Sequence, residues 1–85
     1  MSEIDPLTVD LETLDARGLL CPLPVIRTQD RIKHLRPGAL LEVIASDPGA
    51  LHDIPAWCRI HGHAVVDTQR AAGEIRIRVR VGSTG

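Results

Sequence analysis

Gly18-Leu19-Leu20-Cys21-Pro22-Leu23-Pro24 places one thiol directly before two prolines spaced by a single residue. Two prolines that close are tolerated where their missing N–H groups cost nothing, in the first turn of a helix. That spacing predicts Cys21 at a helix N-cap, with sulfur where Ser, Thr, Asp or Asn would usually sit. A thiol there faces free backbone N–H groups and the positive end of the helix dipole, which favour thiolate. The expectation is a low-pKa nucleophile, the anion held by the Leu23 N–H and its neighbours.

Other thiol chemistries lack their partners. A cysteine protease needs a base and a group to orient it, and none of the four histidines stands at a recognisable spacing from Cys21. A dithiol oxidoreductase wants Cys-x-x-Cys, but the residue at that offset is Pro24. What remains is single-thiol chemistry, in which sulfur is accepted and passed on as a persulfide. A lone cysteine suits that role, because a second thiol nearby would attack the persulfide and release sulfide.

The other cysteine, Cys58, reads as a buried and inert thiol beside Trp57, with a persulfide-resolving role as the alternative. Cys58, His61 and His63 match no standard zinc spacing, so no metal site is expected. Arg17, Arg27, Arg31, Lys33 and Arg36 could make the surroundings of Cys21 electropositive and suit an acidic partner. Arg76, Arg78 and Arg80 form a basic row along one strand face. Without an aromatic on the strands to stack a base, protein docking or plain solvation is expected there rather than nucleic acid. Asp10, Glu12, Glu42 and Asp67 are candidates to pair with that row.

The elements that must position these residues follow from patterning. A first strand is expected over Thr8–Leu14, then a connector with Gly18 at a special backbone angle. A helix runs from Pro22 to about Arg36, where Pro37-Gly38 stops it. Its apolar positions are Val25, Ile32 and Leu35, with Ile26 beside them. Ala39–Ala45 reads as a central strand. Asp47-Pro48-Gly49 reads as a turn or a helix start with Asp47 as cap, and the second helix reaches Ile60 or His61, with Gly62 as its C′ residue. Pro55 leaves two options there: a kinked helix, or a short turn before a helix capped by Asp53. Ala64–Gln69 and Glu74–Val81 form a closing hairpin. The order βαβαββ with right-handed crossovers gives an α/β two-layer sandwich, a four-stranded mixed sheet with two helices on one face.

Bulk properties agree with one small domain spanning residues 1–85, its core about 8–81 and its C-terminal tail flexible. The net charge is −1, so no global field draws in nucleic acid or an anionic membrane. Met1–Asp5 lacks the basic and apolar regions of a signal peptide, and two cysteines are too few for a disulfide framework. A cytoplasmic, reducing location is the expectation.

Leu14-Asp15-Ala16-Arg17-Gly18-Leu19-Leu20-Cys21-Pro22-Leu23-Pro24 resembles the Cys-Pro-x-Pro signature of the TusA/SirA sulfur-carrier family. A second block, Ala45–Ala50 followed by Asp53–Cys58, is similar to that family's strand-to-helix segment. The resemblance implies a sulfurtransferase that holds a persulfide on Cys21, with Pro22, Leu23, Pro24, Arg17 and Gly18 as its motif and sulfur environment. It implies a cysteine desulfurase or rhodanese-type donor and a downstream relay acceptor, in tRNA 2-thiouridine synthesis or in sulfur oxidation. No cofactor is expected beyond the covalent sulfur. Asp47, His52, Arg27 and Arg31 are candidate partner contacts. Two positions depart from the tRNA-thiolation members: Leu23 replaces an acidic residue and His52 a basic one. The alternative function is a protein- or RNA-binding regulatory module in which Cys21 only caps a helix.

Overall fold

The computed structural model describes residues 11–82. Its elements are β1 (Leu11–Ala16), α1 (Leu23–Ile32), β2 (Leu40–Ala45), α2 (Ala50–His61), β3 (Ala64–Ala71) and β4 (Glu74–Arg80). The sheet order is β1-β2-β4-β3. β1 and β2 are parallel, whereas β4 runs antiparallel to both β2 and β3. Both helices pack on the sheet and on each other, giving the expected two-layer βαβαββ sandwich.

Alternation sorts the sheet into two faces. Leu14 and Ala16 of β1, Leu41, Val43 and Ala45 of β2, and Ile75, Ile77 and Val79 of β4 are buried beneath the helices. Ile32 of α1 and Ala50, Ile54 and Cys58 of α2 close the core from above. Leu41, Val43, Ile54, Ile77 and Val79 are among its largest fully buried side chains, each contributing about 1.5–3 kcal/mol by burial. β3 is mostly exposed. A register shift between Val65 and Asp67 disrupts its ladder, a common device at an open sheet edge. Ala72 and Gly73, with φ of 53° and 79°, make the two-residue turn of the β3–β4 hairpin.

Several boundaries differ from the sequence expectation. The first strand runs on to Ala16 rather than ending at Leu14; Thr8–Asp10 lie outside the described residues, as do Ser83–Gly85 of the expected tail. α1 stops at Ile32 rather than Arg36, because the chain tightens into turns in which His34 N donates to Arg31 O and Leu35 N to Ile32 O. Leu35 still packs against the core. Ile26 does not: it is 44% exposed. Thr28 takes a core position instead, made tolerable by its hydroxyl donating to Pro24 O at 2.8 Å. α2 is one continuous helix with Pro55 inside it, so Asp53 does not start a separate helix. It ends as expected at Gly62, whose φ of 81° is left-handed. β3 runs on to Ala71, and β4 ends at Arg80, although Val81 keeps the alternation and is buried.

Candidate functional site

Parallel pairing of β1 and β2 sets Ala16 opposite Ala45, so both strands end at the same edge of the sheet. The two loops that follow therefore meet. Gly18, at φ 80°, donates its N–H to Ser46 Oγ at 2.8 Å. Cys21 donates its N–H to Asp47 Oδ2 at 2.8 Å. The other oxygen of Asp47 accepts Gly49 N–H at 3.1 Å. One carboxylate thus ties the start of α1 to the start of α2.

Cys21 does not cap α1. Pro22 is the N-cap, no side chain caps the helix, and Pro24 occupies its first turn. The helix starts one residue late because Leu23 N–H donates back to Leu20 O at 2.8 Å and closes a turn around Cys21. That bond removes the N–H expected to hold a thiolate. The sulfur instead lies over the Asp47–Gly49 turn: a Cβ built on Gly49 would be 3.2 Å from Cys21 Sγ. The turn's own amides are already spoken for, Gly49 N by Asp47 Oδ1 and Ala50 N by Asp47 O. The sulfur faces acceptors, not donors.

The electrostatics follow from that placement. Burial, then hydrogen bonding to the carboxylates of Asp53 and Asp47 and their negative charge, push the Cys21 pKa up to about 11. The expected low-pKa thiol is overturned: partial desolvation and two nearby carboxylates act against the anion. Asp47 moves the other way, its pKa lowered chiefly by the N–H groups of Cys21 and Gly49.

Three of the basic residues that could have made the surroundings of Cys21 electropositive, Arg17, Arg31 and Lys33, are engaged by carboxylates. Arg17 is held by Asp15 at 2.9 Å and by Glu74 at 3.1 Å. Asp15, gripped by Arg17, has its pKa lowered to about 2. Arg31 reaches β1, donating to Glu12 Oε1 and Thr13 O at 3.2 Å. Lys33 pairs with Asp30 at 3.7 Å. Arg27 and His52 are exposed on α1 and α2.

Of the predicted residues, the fold brings Gly18, Cys21, Pro22 and Asp47 together. Asp53 was missed as a neighbour of the sulfur. It lies in the first turn of α2, and two crossovers of the same hand over parallel strands put that turn beside the start of α1.

Cys58 is 1% exposed in the core, where burial pushes its pKa up to about 11. At the far end of the helices, Trp57 packs on His61 and His63 with ring centroids 4.8 and 5.2 Å apart. These rings, with Ile32 and Leu35, line a groove of about 350 Å³. His63 Nδ1 accepts Gly82 N–H at 2.9 Å, and burial with the neighbouring His61 lowers its pKa. On the open sheet face, Glu42 lies 3.7 Å from both Arg76 and Arg78. Glu12 does not join that row, since it points to the helix side and meets Arg31; Asp10 lies outside the described residues, and Asp67 stands opposite Arg78 in register.

Compared with known proteins, residues 12–81 match the family model described as Sulfurtransferase TusA. The chain belongs to the TusA family. The sulfur carrier protein TusA of Pseudomonas fluorescens strain SBW25 is 45% identical over 83 residues, covering 98% of this chain and 99% of the relative. That of Pseudomonas syringae pv. tomato is 49% identical over 70 residues, covering 81% and 82%. A crystal structure of a SirA-like protein from Desulfitobacterium hafniense superposes with a TM-score of 0.74 over 85% of this chain and 99% of that one. At 23% identity it supports the fold alone. Among the described residues, no helix is long and apolar enough to cross a membrane.

Proposed function

We propose that this TusA-family chain is a sulfur carrier in a relay, and that it holds sulfane sulfur as a persulfide on Cys21. The observation that carries the reading is the setting of that thiol. Cys21 is partly exposed where the two helices begin, while the other cysteine is sealed in the core. A persulfide on Cys21 therefore has no internal thiol to attack it. The binding-module alternative loses its main role for Cys21, which caps no helix.

In the transfer step, the Cys21 thiolate attacks the outer sulfur of a donor persulfide. The new S–S bond forms on Cys21, the old one breaks, and the donor leaves as a thiolate that takes up the proton Cys21 gave up. No net oxidation occurs. Unloading is the same exchange in reverse, onto an acceptor thiol. The protein has no call for a cofactor in this chemistry; its cargo is the covalent sulfur itself.

The donor in this reading is a cysteine desulfurase or a rhodanese-type protein, and the acceptor is the next relay protein. tRNA thiolation and sulfur oxidation both fit such a carrier. A cytoplasmic location would keep both thiols reduced.

Intact mass after incubation with a cysteine desulfurase and labelled cysteine tests the reading. The expected result is the gain of one labelled sulfur, absent in Cys21→Ser. A sulfur that stays on the protein in Cys21→Ser refutes the assignment of the site.

A further inference from the structure

The groove at the far end of the helices has no part in the sulfur chemistry. Both helices begin beside the thiol; the groove lies where they end, against the last residues of β4. Its volume of about 350 Å³ is that of a small-molecule site. Its wall is aliphatic, made by Ile32, Leu35, Pro37 and Val81. Its charged and titratable lining residues are Lys33, His61 and His63; among the described residues, no aspartate or glutamate lines it. Hydrogen bonding sets what these groups offer. His63 Nδ1 accepts Gly82 N–H at 2.9 Å, so the proton of the neutral imidazole sits on Nε2, which leaves Nε2–H to give. Lys33 pairs with Asp30 at 3.7 Å, but the two side chains are 63% and 64% exposed. A pair so exposed holds weakly, and the ammonium is available to a ligand. The indole is already in use, with the imidazoles of His61 and His63 packed on it. A flat ring entering the groove competes with them for Trp57, whereas an alkyl chain has the aliphatic wall to itself.

We propose that this groove is a binding site for a small aliphatic carboxylate, an acid with an unbranched tail of about six to ten carbons. The tail lies along Ile32, Leu35, Pro37 and Val81 and leaves water. The carboxylate accepts from His63 Nε2–H and from the Lys33 ammonium, both charge-assisted bonds. The same arrangement selects against other head groups. An alcohol forgoes the charge-assisted bonds, and an amine brings a cation to a groove that has Lys33 and no carboxylate to meet it. The site is separate from the thiol by the length of α1, ten residues or about 15 Å. It stands whether or not Cys21 carries sulfur.

The test titrates the full chain with octanoate, octan-1-ol, octylamine and 3-phenylpropanoate. Trp57 is the only Trp, Tyr or Phe in the protein, so its emission reports the groove, and amide NMR shifts locate each ligand. Octanoate is expected to bind saturably with Kd of about 1 mM or tighter. Octan-1-ol and octylamine should bind at least about tenfold more weakly, and 3-phenylpropanoate more weakly than octanoate. The largest octanoate shifts should fall on Leu35, His63 and Gly82, not on Cys21 or Gly49. Lys33→Glu, at an exposed position where circular dichroism checks the fold, should weaken octanoate about fivefold or more. The same variant should change octan-1-ol binding less than about twofold, the usual range for a surface substitution. The proposal is overturned if octanoate shows no saturation by about 10 mM, or if its shifts centre on Cys21. It is equally overturned if octan-1-ol or octylamine binds as tightly as octanoate, if 3-phenylpropanoate binds more tightly, or if Lys33→Glu leaves octanoate binding unchanged.

Discussion

Free Cys21 should be a slow thiol, and the structure sets how slow. With its pKa pushed up to about 11, only roughly one molecule in a thousand is ionised at pH 8, whereas an unperturbed thiol near ~8.5 is about one-quarter ionised. That alone slows alkylation by about 200-fold. A more basic thiolate is also a better nucleophile, and a Brønsted slope of about 0.4–0.5 returns about a factor of ten. The net expectation is alkylation by iodoacetamide about 20-fold slower than a reference thiol at pH 8, with the rate rising about tenfold per pH unit until it levels near pH 11. Only the thiolate reacts, so the sign is fixed: higher pH speeds the reaction. Asp53→Asn removes a carboxylate that accepts from the thiol; the midpoint should fall toward the ordinary range and the rate at pH 8 should rise several-fold. Mass spectrometry after timed quenching reads the rates, and Cys21→Ser gives the background, since Cys58 is buried. A wild-type rate that levels off below pH 9, or matches the reference thiol at pH 8, would refute the placement of two carboxylates at the sulfur.

Two further substitutions probe the scaffold. Gly49→Ala sets a Cβ 3.2 Å from Cys21 Sγ and 3.6 Å from an Asp47 oxygen, so the sulfur must give way; persulfide loading measured by intact mass should fall at least severalfold while the thermal midpoint stays within a few degrees of wild type. Leu41→Ala empties a fully buried position in the central strand β2 and should cost about 2–5 kcal/mol in urea unfolding, with the alkylation profile of Cys21 unchanged in the folded protein.

The fold was legible wherever periodicity was strong. Ile75, Ile77, Val79 and Val81 alternate with charged residues, and the strand lies as that alternation dictates. Gly18 and Gly62 take the positive φ that their positions in the pattern called for. Legibility failed where a local bond overrode a general rule. Thr28 is not among the apolar positions that the helical spacing picks out, yet its hydroxyl turns onto Pro24 O and the residue is fully buried. The N-cap rule put Cys21 at the mouth of α1, but the Leu23–Leu20 bond moved the start by one residue. The Leu23 N–H expected to hold a thiolate is taken by Leu20 O, and Asp47 takes the N–H groups of Cys21 and Gly49 beside the sulfur. Asp53 was within reach of topology alone. Parallel strands with crossovers of one hand place both helix starts at one edge, and Asp53 is in the first turn of the second helix.

The carboxylates give the relay a physical logic that a low-pKa thiol would not. Thiol–disulfide exchange depends on the attacking sulfur's ionisation and on how well the departing sulfur carries charge. Asp47 and Asp53 oppose negative charge on Cys21 in both roles. In the proposed carrier, the empty form would then be a poor attacker and the loaded form a poor leaving group, which would guard sulfur against chance exchange with small thiols. A partner that brings a cation to the same two carboxylates eases both steps at once. Loading and unloading would share one control, set by docking rather than by the pH of the compartment. On that logic Asp53→Asn should speed exchange with glutathione persulfide while weakening the advantage of the protein donor. The ratio of the two rates, not either rate alone, measures what the two carboxylates contribute.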